Sequence, residues 1–329
     1  MTEQSLPKLA FLGPVGTYSH QVGGAYDRFG GNVDYVEKQK IKDVFDAISA
    51  EIPFGLVPQE NSIYGSVTET YDALREPEVG ETKFVKGEVT LAVQHCLVVR
   101  QGVKAEDVTR ILSHEQALGQ CGKYLQKNFP SAALQKMAST AAAAQALLNE
   151  GPEQLHSAAI CSPLCAVVFK GLEILQESIQ DKNTNCTRFY VLAQGLETKP
   201  PYLPGPPQLQ RALVRIGLPA PEEPESAEDG SAEALTTSIS AHNRPLHMVM
   251  STLLTTFGVP VIRIDRRPSL NHVPFEHVYY VELEELGSEL GVENSADDEH
   301  GSSVWLNRVQ MGVDRVCEAG GEATIIGVW

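Results

Sequence analysis

No run of roughly 18 apolar residues occurs anywhere in the 329-residue chain, so the sequence offers no candidate for a transmembrane helix. Basic residues are also scarce. Lys and Arg number 26 against 42 Asp and Glu, for a net charge of −16 and an isoelectric point near 5.0. That balance argues against nucleic-acid binding, which needs a basic footprint. An anionic ligand must instead be held by a few local donors against a repelling field. Met1 to Lys8 has neither the basic stretch and apolar core of a signal peptide nor the Arg-rich pattern of a transit peptide. Of the six cysteines only Cys161 and Cys165 lie close together, and no second pair completes a zinc site. All six read as reduced thiols, and the expected compartment is the cytoplasm. The remaining balance, 42% hydrophobic and 21% charged, is that of an ordinary globular protein, long enough for about two or three domains.

Short strands alternate with helices through the first part of the chain. The pattern predicts strands at 8–12, 33–36, 54–58, 91–99, 110–113, 133–137, 158–161 and 187–192. Helices are predicted at 19–29, 41–51, 68–75, 116–128, 140–149 and 163–169. Such alternation indicates an α/β fold built on largely parallel sheet. Five prolines between 200 and 207 with Gly205 then make a stiff, extended linker. Beyond it the predicted order is strand (209–218, 235–241), helix (245–257), strand (259–265), strand (278–284), helix (304–319), strand (323–328), a ferredoxin-like βαββαβ arrangement. Two acidic inserts, 219–233 and 287–302, read as solvated loops.

Four polar turns sit at strand ends, where open α/β sheets place their ligands. The first, Gly13-Pro14-Val15-Gly16-Thr17-Tyr18-Ser19-His20, joins a strand to a helix and matches neither a Walker loop nor a dinucleotide fingerprint. The second runs from Pro58 through Glu60-Asn61-Ser62 to Gly65-Ser66-Val67, and the third is Ser113-His114-Glu115-Gln116-Ala117-Leu118. The fourth, Asn183 to Phe189, sets Arg188 beside Thr187, a pairing suited to a carboxylate. Taken singly, each also reads as a capped turn, a satisfied histidine or a surface arginine.

Together, in this order over about 180 residues, the four motifs resemble the prephenate dehydratase family. The resemblance covers 9–193 as a catalytic region and 209–329 as a regulatory ACT domain. It implies a catalytic region at 7–197 whose two α/β lobes (7–90 with 174–197, and 91–173) resemble a periplasmic binding protein. The linker is then 198–207 and the ACT domain 208–329. The implied reaction is the decarboxylating dehydration of prephenate to phenylpyruvate, water and CO₂, without a metal or redox cofactor. Thr187, Asn61, Gln116, Ser62 and His114 become the implied catalytic residues, and Thr17, Ser19, Ser113, Arg188 and Phe189 the implied substrate-binding ones. The proton for the leaving hydroxyl comes either from Thr187, acting as an oriented hydrogen-bond donor, or from His114, whose pKa better suits a general acid.

Two departures from the family pattern stand out. Cys186 replaces a common Thr, a swap of small side chains. In the ACT region the usual Gly-Ala-Leu is Arg244-Pro245-Leu246-His247, and the usual Glu-Ser-Arg-Pro is Asp265-Arg266-Arg267-Pro268. Losing the glycine and an N–H at Pro245 predicts weakened inhibition by L-phenylalanine through Arg244, Pro245, Leu246, His247, Asp265, Arg267 and Pro268. The expected partners are prephenate and phenylalanine, with neither nucleic acid nor membrane, in a homodimer or dimer of dimers. An arogenate dehydratase and a non-catalytic ligand sensor with the same cleft are the alternatives.

Overall fold

The structure, a computed structural model, describes residues 6–24, 29, 33–149, 151–200, 210–217, 251, 259–271, 276–285 and 298–329. The chain divides into two compact units. One takes in Met1–Thr70 and Glu88–Leu192; the other takes in Tyr71–Gly87, Ala193–Lys199 and Gly205–Trp329. Predicted features at 235–241, 245–257 and 219–233, most of the linker, and Arg244, Pro245, Leu246 and His247 lie outside the described residues.

In the first unit β1 (Lys8–Leu12) lies between β2 (Asp34–Lys38) and β3 (Phe54–Asn61), parallel to both. Leu9, Ala10 and Phe11 are all buried, as a strand covered on both faces requires. Helices α1 (Tyr18–Gly24) and α2 (Ile41–Ala47) make the crossovers. Ile41, Val44 and Phe45 form the buried stripe of α2, at i, i+3 and i+4. A two-residue strand, β4 (Gly65–Ser66), folds back on β3. Gly65 has φ +81°, a backbone conformation that favours glycine. Beside β3 on its other edge runs β11 (Cys186–Gln194).

The second sheet of this unit has the order β10 (Leu172–Gln176), β6 (Cys96–Arg100), β9 (Ser157–Cys161), β7 (Arg110–Ser113), β8 (Ala133–Lys136). It is mixed rather than parallel, because β6 runs antiparallel to both β9 and β10. The stretch predicted as one strand at 91–99 is interrupted. β5 (Lys83–Ala92) ends before β6 begins, and the residues between carry His95. The predicted helix 116–128 likewise divides at Cys121 into α4 (Glu115–Gln120) and α5 (Gly122–Asn128). Asp181 explains the break: its backbone N–H donates to the Gln120 carbonyl at 2.7 Å while its carboxylate accepts from the Lys123 N–H. One loop thus satisfies the groups that a continuous helix would pair internally. Ser139 caps α6 (Thr140–Ala146) through the Ala142 N–H at 3.0 Å.

In the second unit four strands make an antiparallel sheet of order β13 (Val261–Pro268), β14 (His277–Glu284), β12 (Arg211–Gly217), β15 (Glu322–Val328). Helix α8, numbered after α7 (Leu164–Val168), spans Asp298–Glu318 and so begins ahead of its predicted start. It lays Trp305, Val309, Val313 and Val316 on the sheet at helical spacing. Described strands and helix match the predicted ferredoxin-like order. Segment 71–87 packs in this unit: Val85 pairs with Gly327, where an added Cβ would meet the Val85 Cβ at 2.6 Å and its carbonyl oxygen at 2.7 Å. Among the described residues no helix is long and apolar enough to cross a membrane.

Candidate active site

A cleft of about 450 Å³ opens in the first unit. It is lined by the glycine turn before α1, the end of β3, the starts of α4 and α6, and the start of β11. Its described lining contains no Asp, Glu, Lys or Arg; the polar groups are hydroxyls, amides and two imidazoles. A small dianion entering here meets hydrogen-bond donors rather than counter-ions.

Thr187, Asn61, Gln116, His114, Thr17, Ser19 and Phe189 all line this cleft, so the structure brings together seven of the residues singled out from the sequence. Three others stand off it. The Ser62 hydroxyl donates to the Thr184 carbonyl at 3.0 Å and accepts from the Cys186 N–H at 2.9 Å, which clamps two loops. The Ser113 hydroxyl is buried against the Ile160 carbonyl at 2.6 Å. The Arg188 Nε lies 3.9 Å from a Glu88 carboxylate oxygen. Thr17 and His114 line the cleft but spend hydrogen bonds on local structure. Thr17 Oγ1 donates to the Leu12 carbonyl, and His114 Nδ1 caps α4 through the Gln116 N–H.

Asn61 organises the rest. Its Oδ1 accepts from the backbone N–H groups of Ile63 and Tyr64 at 3.0 and 3.2 Å, which fixes which end of the amide is oxygen. Its Nδ2 therefore faces Asn185 Oδ1 (2.8 Å), the Cys186 carbonyl (3.2 Å) and Thr187 Oγ1 (3.0 Å), all as acceptors. With its oxygen receiving the Asn61 amide and its own proton without an acceptor among the described residues, the Thr187 hydroxyl can donate into the cleft. Asn185, oriented in turn, donates from Nδ2 to Gln120 Oε1 at 2.9 Å. The same oxygen meets His95 Nε2 at 2.5 Å, and His95 Nδ1 meets the Tyr18 hydroxyl at 2.6 Å.

Burial shapes the titration of this network. It pushes the Tyr18 phenol well above its ordinary range, helped by the thiols of Cys161, Cys96, Cys165 and Cys121. It lowers the His95 imidazole, against which the Gln120 hydrogen bond pulls upward. His20, stacked on Phe11 and accepting the Gly16 N–H at 3.1 Å, is also lowered by burial, with Glu37 opposing. Among the described residues no group of three or more His, Cys, Asp or Glu is placed to hold a metal ion.

A family model described as prephenate dehydratase matches residues 9–196, more than half of the chain. The chain belongs to the prephenate dehydratase family. Among curated proteins, a bifunctional chorismate mutase/prephenate dehydratase of Stutzerimonas stutzeri is 36% identical over 200 residues, covering 60% of this chain and 51% of its own length. Arogenate dehydratase 2 of Petunia hybrida is 34% identical over 205 residues, 62% of this chain and 48% of its own. The chain thus spans about half the length of these family relatives. The solved structure of the Arthrobacter aurescens prephenate dehydratase in complex with L-Phe has the same fold. Its TM-score is 0.70 at 23% identity, over 98% of this chain and 89% of that one.

Tyr18, His95, Gln120 and Asn185 were not legible as site residues. Tyr18 and Asn185 lie inside the first and fourth polar turns without standing out there, and His95 and Gln120 lie outside all four turns, with partners far away in the sequence.

In the second unit the Asp265–Pro268 motif is tied to segment 71–75. The Tyr71 hydroxyl donates to Asp265 at 2.9 Å, and the Arg267 guanidinium forms a two-bond pair with Asp72 at 2.7 and 3.1 Å. Arg75 donates to the Pro268 carbonyl at 2.7 Å.

Proposed function

We propose that this chain catalyses the decarboxylating dehydration of prephenate to phenylpyruvate, water and CO₂. The observation that carries this reading is the Thr187 hydroxyl, held by Asn61 so that its proton is free for the cleft. The ring C–C bond to the carboxylate breaks, its electron pair moves through the diene, and the 4-hydroxyl leaves as water after taking up one proton. Thr187 stabilises the departing oxygen as a hydrogen-bond donor, because a hydroxyl is too weak an acid to give up its proton outright at neutral pH. His114, at the rim of the same cleft, is the candidate source of that proton. Gln116 and the Gln120 amide supply neutral donors to substrate oxygens. A lining without ionised side chains suits a step that discharges a carboxylate, since a poorly hydrated carboxylate is lost more readily as neutral CO₂.

Phenylalanine is the proposed effector, the Arthrobacter relative having been solved with L-Phe. Asp265, Arg267 and Pro268, together with Arg244–His247, form its proposed site. A homodimer or dimer of dimers and a cytoplasmic location belong to the same reading; six unbridged thiols suit a reducing compartment. Purified protein incubated with prephenate should generate phenylpyruvate absorbance, with arogenate assayed in parallel because curated relatives include arogenate dehydratases. Turnover of arogenate alone would move the substrate assignment, and turnover of neither would refute the reading.

A further inference from the structure

His95 joins the cleft network at a point that no family motif singled out. It is 2% exposed and lies between β5 and β6, with its backbone clamped on both sides. Its N–H donates to Gln180 Oε1 at 3.0 Å, and its carbonyl accepts from the Ile179 N–H at 3.0 Å. The ring sits edge-on to Tyr18, with centroids 5.7 Å apart. The backbone clamps fix where the side chain starts, and the ring is held by its own contacts to Tyr18 and Gln120.

Hydrogen-bond logic fixes its tautomer. The backbone N–H groups of Ile63 and Tyr64 orient Asn61, Asn61 orients Asn185, and Asn185 donates into Gln120 Oε1. That oxygen has only lone pairs to offer His95 Nε2 at 2.5 Å, so Nε2 carries the proton. Nδ1 is then an acceptor, and the Tyr18 hydroxyl, which also reaches the Gln94 carbonyl at 3.2 Å, donates to it over the shorter 2.6 Å contact. In the opposite tautomer the Nε2 and Oε1 lone pairs would face each other at hydrogen-bond distance. Holding two donors, Gln120 Oε1 is fully engaged, and the Gln120 NH₂, which has no acceptor among the described residues, is left for the cleft it lines.

We propose that His95 is a positioning residue. Locked by Tyr18 as the neutral Nε2–H tautomer, it pins the Gln120 side chain so that its NH₂ faces the cleft as a donor to a substrate oxygen. The inference rests on the dehydratase reading for its kinetic part, but the tautomer is measurable without turnover. Were Gln120 released, its amide could turn and present an acceptor where the substrate needs a donor. Removing one such preorganised donor costs about 10²–10³ in kcat in comparable sites.

Two measurements test this. Nitrogen-15 NMR of histidine-labelled protein, with the His95 signals assigned by their loss in His95→Gln, should show one N–H at Nε2 and a bare Nδ1. An N–H at Nδ1, or a tautomer mixture, would overturn the proposal. In kinetics, His95→Phe should lower kcat by about 10²-fold while KM changes much less. His95→Gln keeps an N–H donor near the Nε2 position and should recover a substantial part of kcat. Tyr18→Phe should fall between His95→Phe and wild type. Equal kcat for the Phe and Gln variants of His95, both folded by circular dichroism, would reduce His95 to core filler and sink the idea. Failure of the dehydratase reading looks different: the wild-type protein itself would turn over neither substrate.

Discussion

Replacing Asn61 by Asp changes one NH₂ to an oxygen at nearly constant volume, and the surroundings make that change severe. Oδ1 keeps its two backbone donors from Ile63 and Tyr64. On the other side a carboxylate oxygen now faces Asn185 Oδ1, the Cys186 carbonyl and Thr187 Oγ1 at 2.8, 3.2 and 3.0 Å. Two hydrogen bonds are lost at about 1 kcal/mol net each, and at least one half-buried acceptor is left unsatisfied at about 1–3 kcal/mol more. The sum is about 3–5 kcal/mol, or roughly a 10 °C drop in Tm for a unit of this size. The new carboxyl is stabilised in its neutral form, because a proton restores one donor, so its folded-state pKa is raised above the unfolded value. The folded state then binds more protons than the unfolded state, and stability falls as pH rises through the window between the two pKa values. The Tm gap to wild type should therefore be widest at pH 7.5 and narrow on acidification to pH 5, with kcat lost at both. Thermal melts by circular dichroism at the two pH values measure it. A gap under about 2 °C at pH 7.5, or one that does not narrow in acid, would refute the proposed orientation of Asn61.

Thr187→Ala should lower kcat by about 10²–10⁴ with a smaller change in KM, and near-normal kcat in a folded variant would remove Thr187 from the chemistry. His20 and His95 are both held neutral by burial, so their folded pKa values lie below the unfolded one. Their stabilising effect is present above about pH 6.5 and is lost as pH falls through the unfolded value toward the folded ones; a flatter stability-versus-pH slope in His95→Gln would check this. Gly327→Ala forces a Cβ into Val85 and should cost about 1–3 kcal/mol by denaturant titration. Arg267→Ala, which breaks the partly exposed pair with Asp72, should cost no more than about 1 kcal/mol, and Asp72→Ala, which also frees Arg75, somewhat more. Inhibition by phenylalanine should weaken in both variants; unchanged curves would separate the Arg267 motif from effector response.

Much of the architecture was legible because it rests on local pattern. The alternation of 8–12, 33–36 and 54–58 with helices gave the parallel β1–β3 core, and the last helix was placed at 304–319, where Trp305, Val309 and Val313 pack on the sheet. What escaped depends on distant groups. Gly119 and Gly122 beside Cys121 weaken the helix there, but the partner that satisfies the break is Asp181, some sixty residues on. The antiparallel pairing of β10 with β6 was hidden in the same way. At the site, the hydroxyls of Thr187 and Ser62 look equivalent in sequence, yet one faces the cleft while the other clamps Thr184 to Cys186. The Tyr18–His95–Gln120–Asn185 network joins four separate turns, and only folding makes it a unit.

The charge-free lining of the cleft has a consequence for how substrate arrives. A dianion approaching a chain of net charge −16 climbs an electrostatic hill, and no local cation in the described lining offsets it at the mouth. Dissolved ions flatten that hill, with a screening length shrinking from about 30 Å at 0.01 M to about 10 Å at 0.1 M. Association should therefore speed up with ionic strength, and KM should fall, opposite to enzymes that draw anions in with arginine and lysine. The short hydrogen bonds inside the cleft lie well within one screening length, so kcat should hardly respond. Added potassium chloride thus separates the approach of the substrate from its chemistry in a single set of rate measurements.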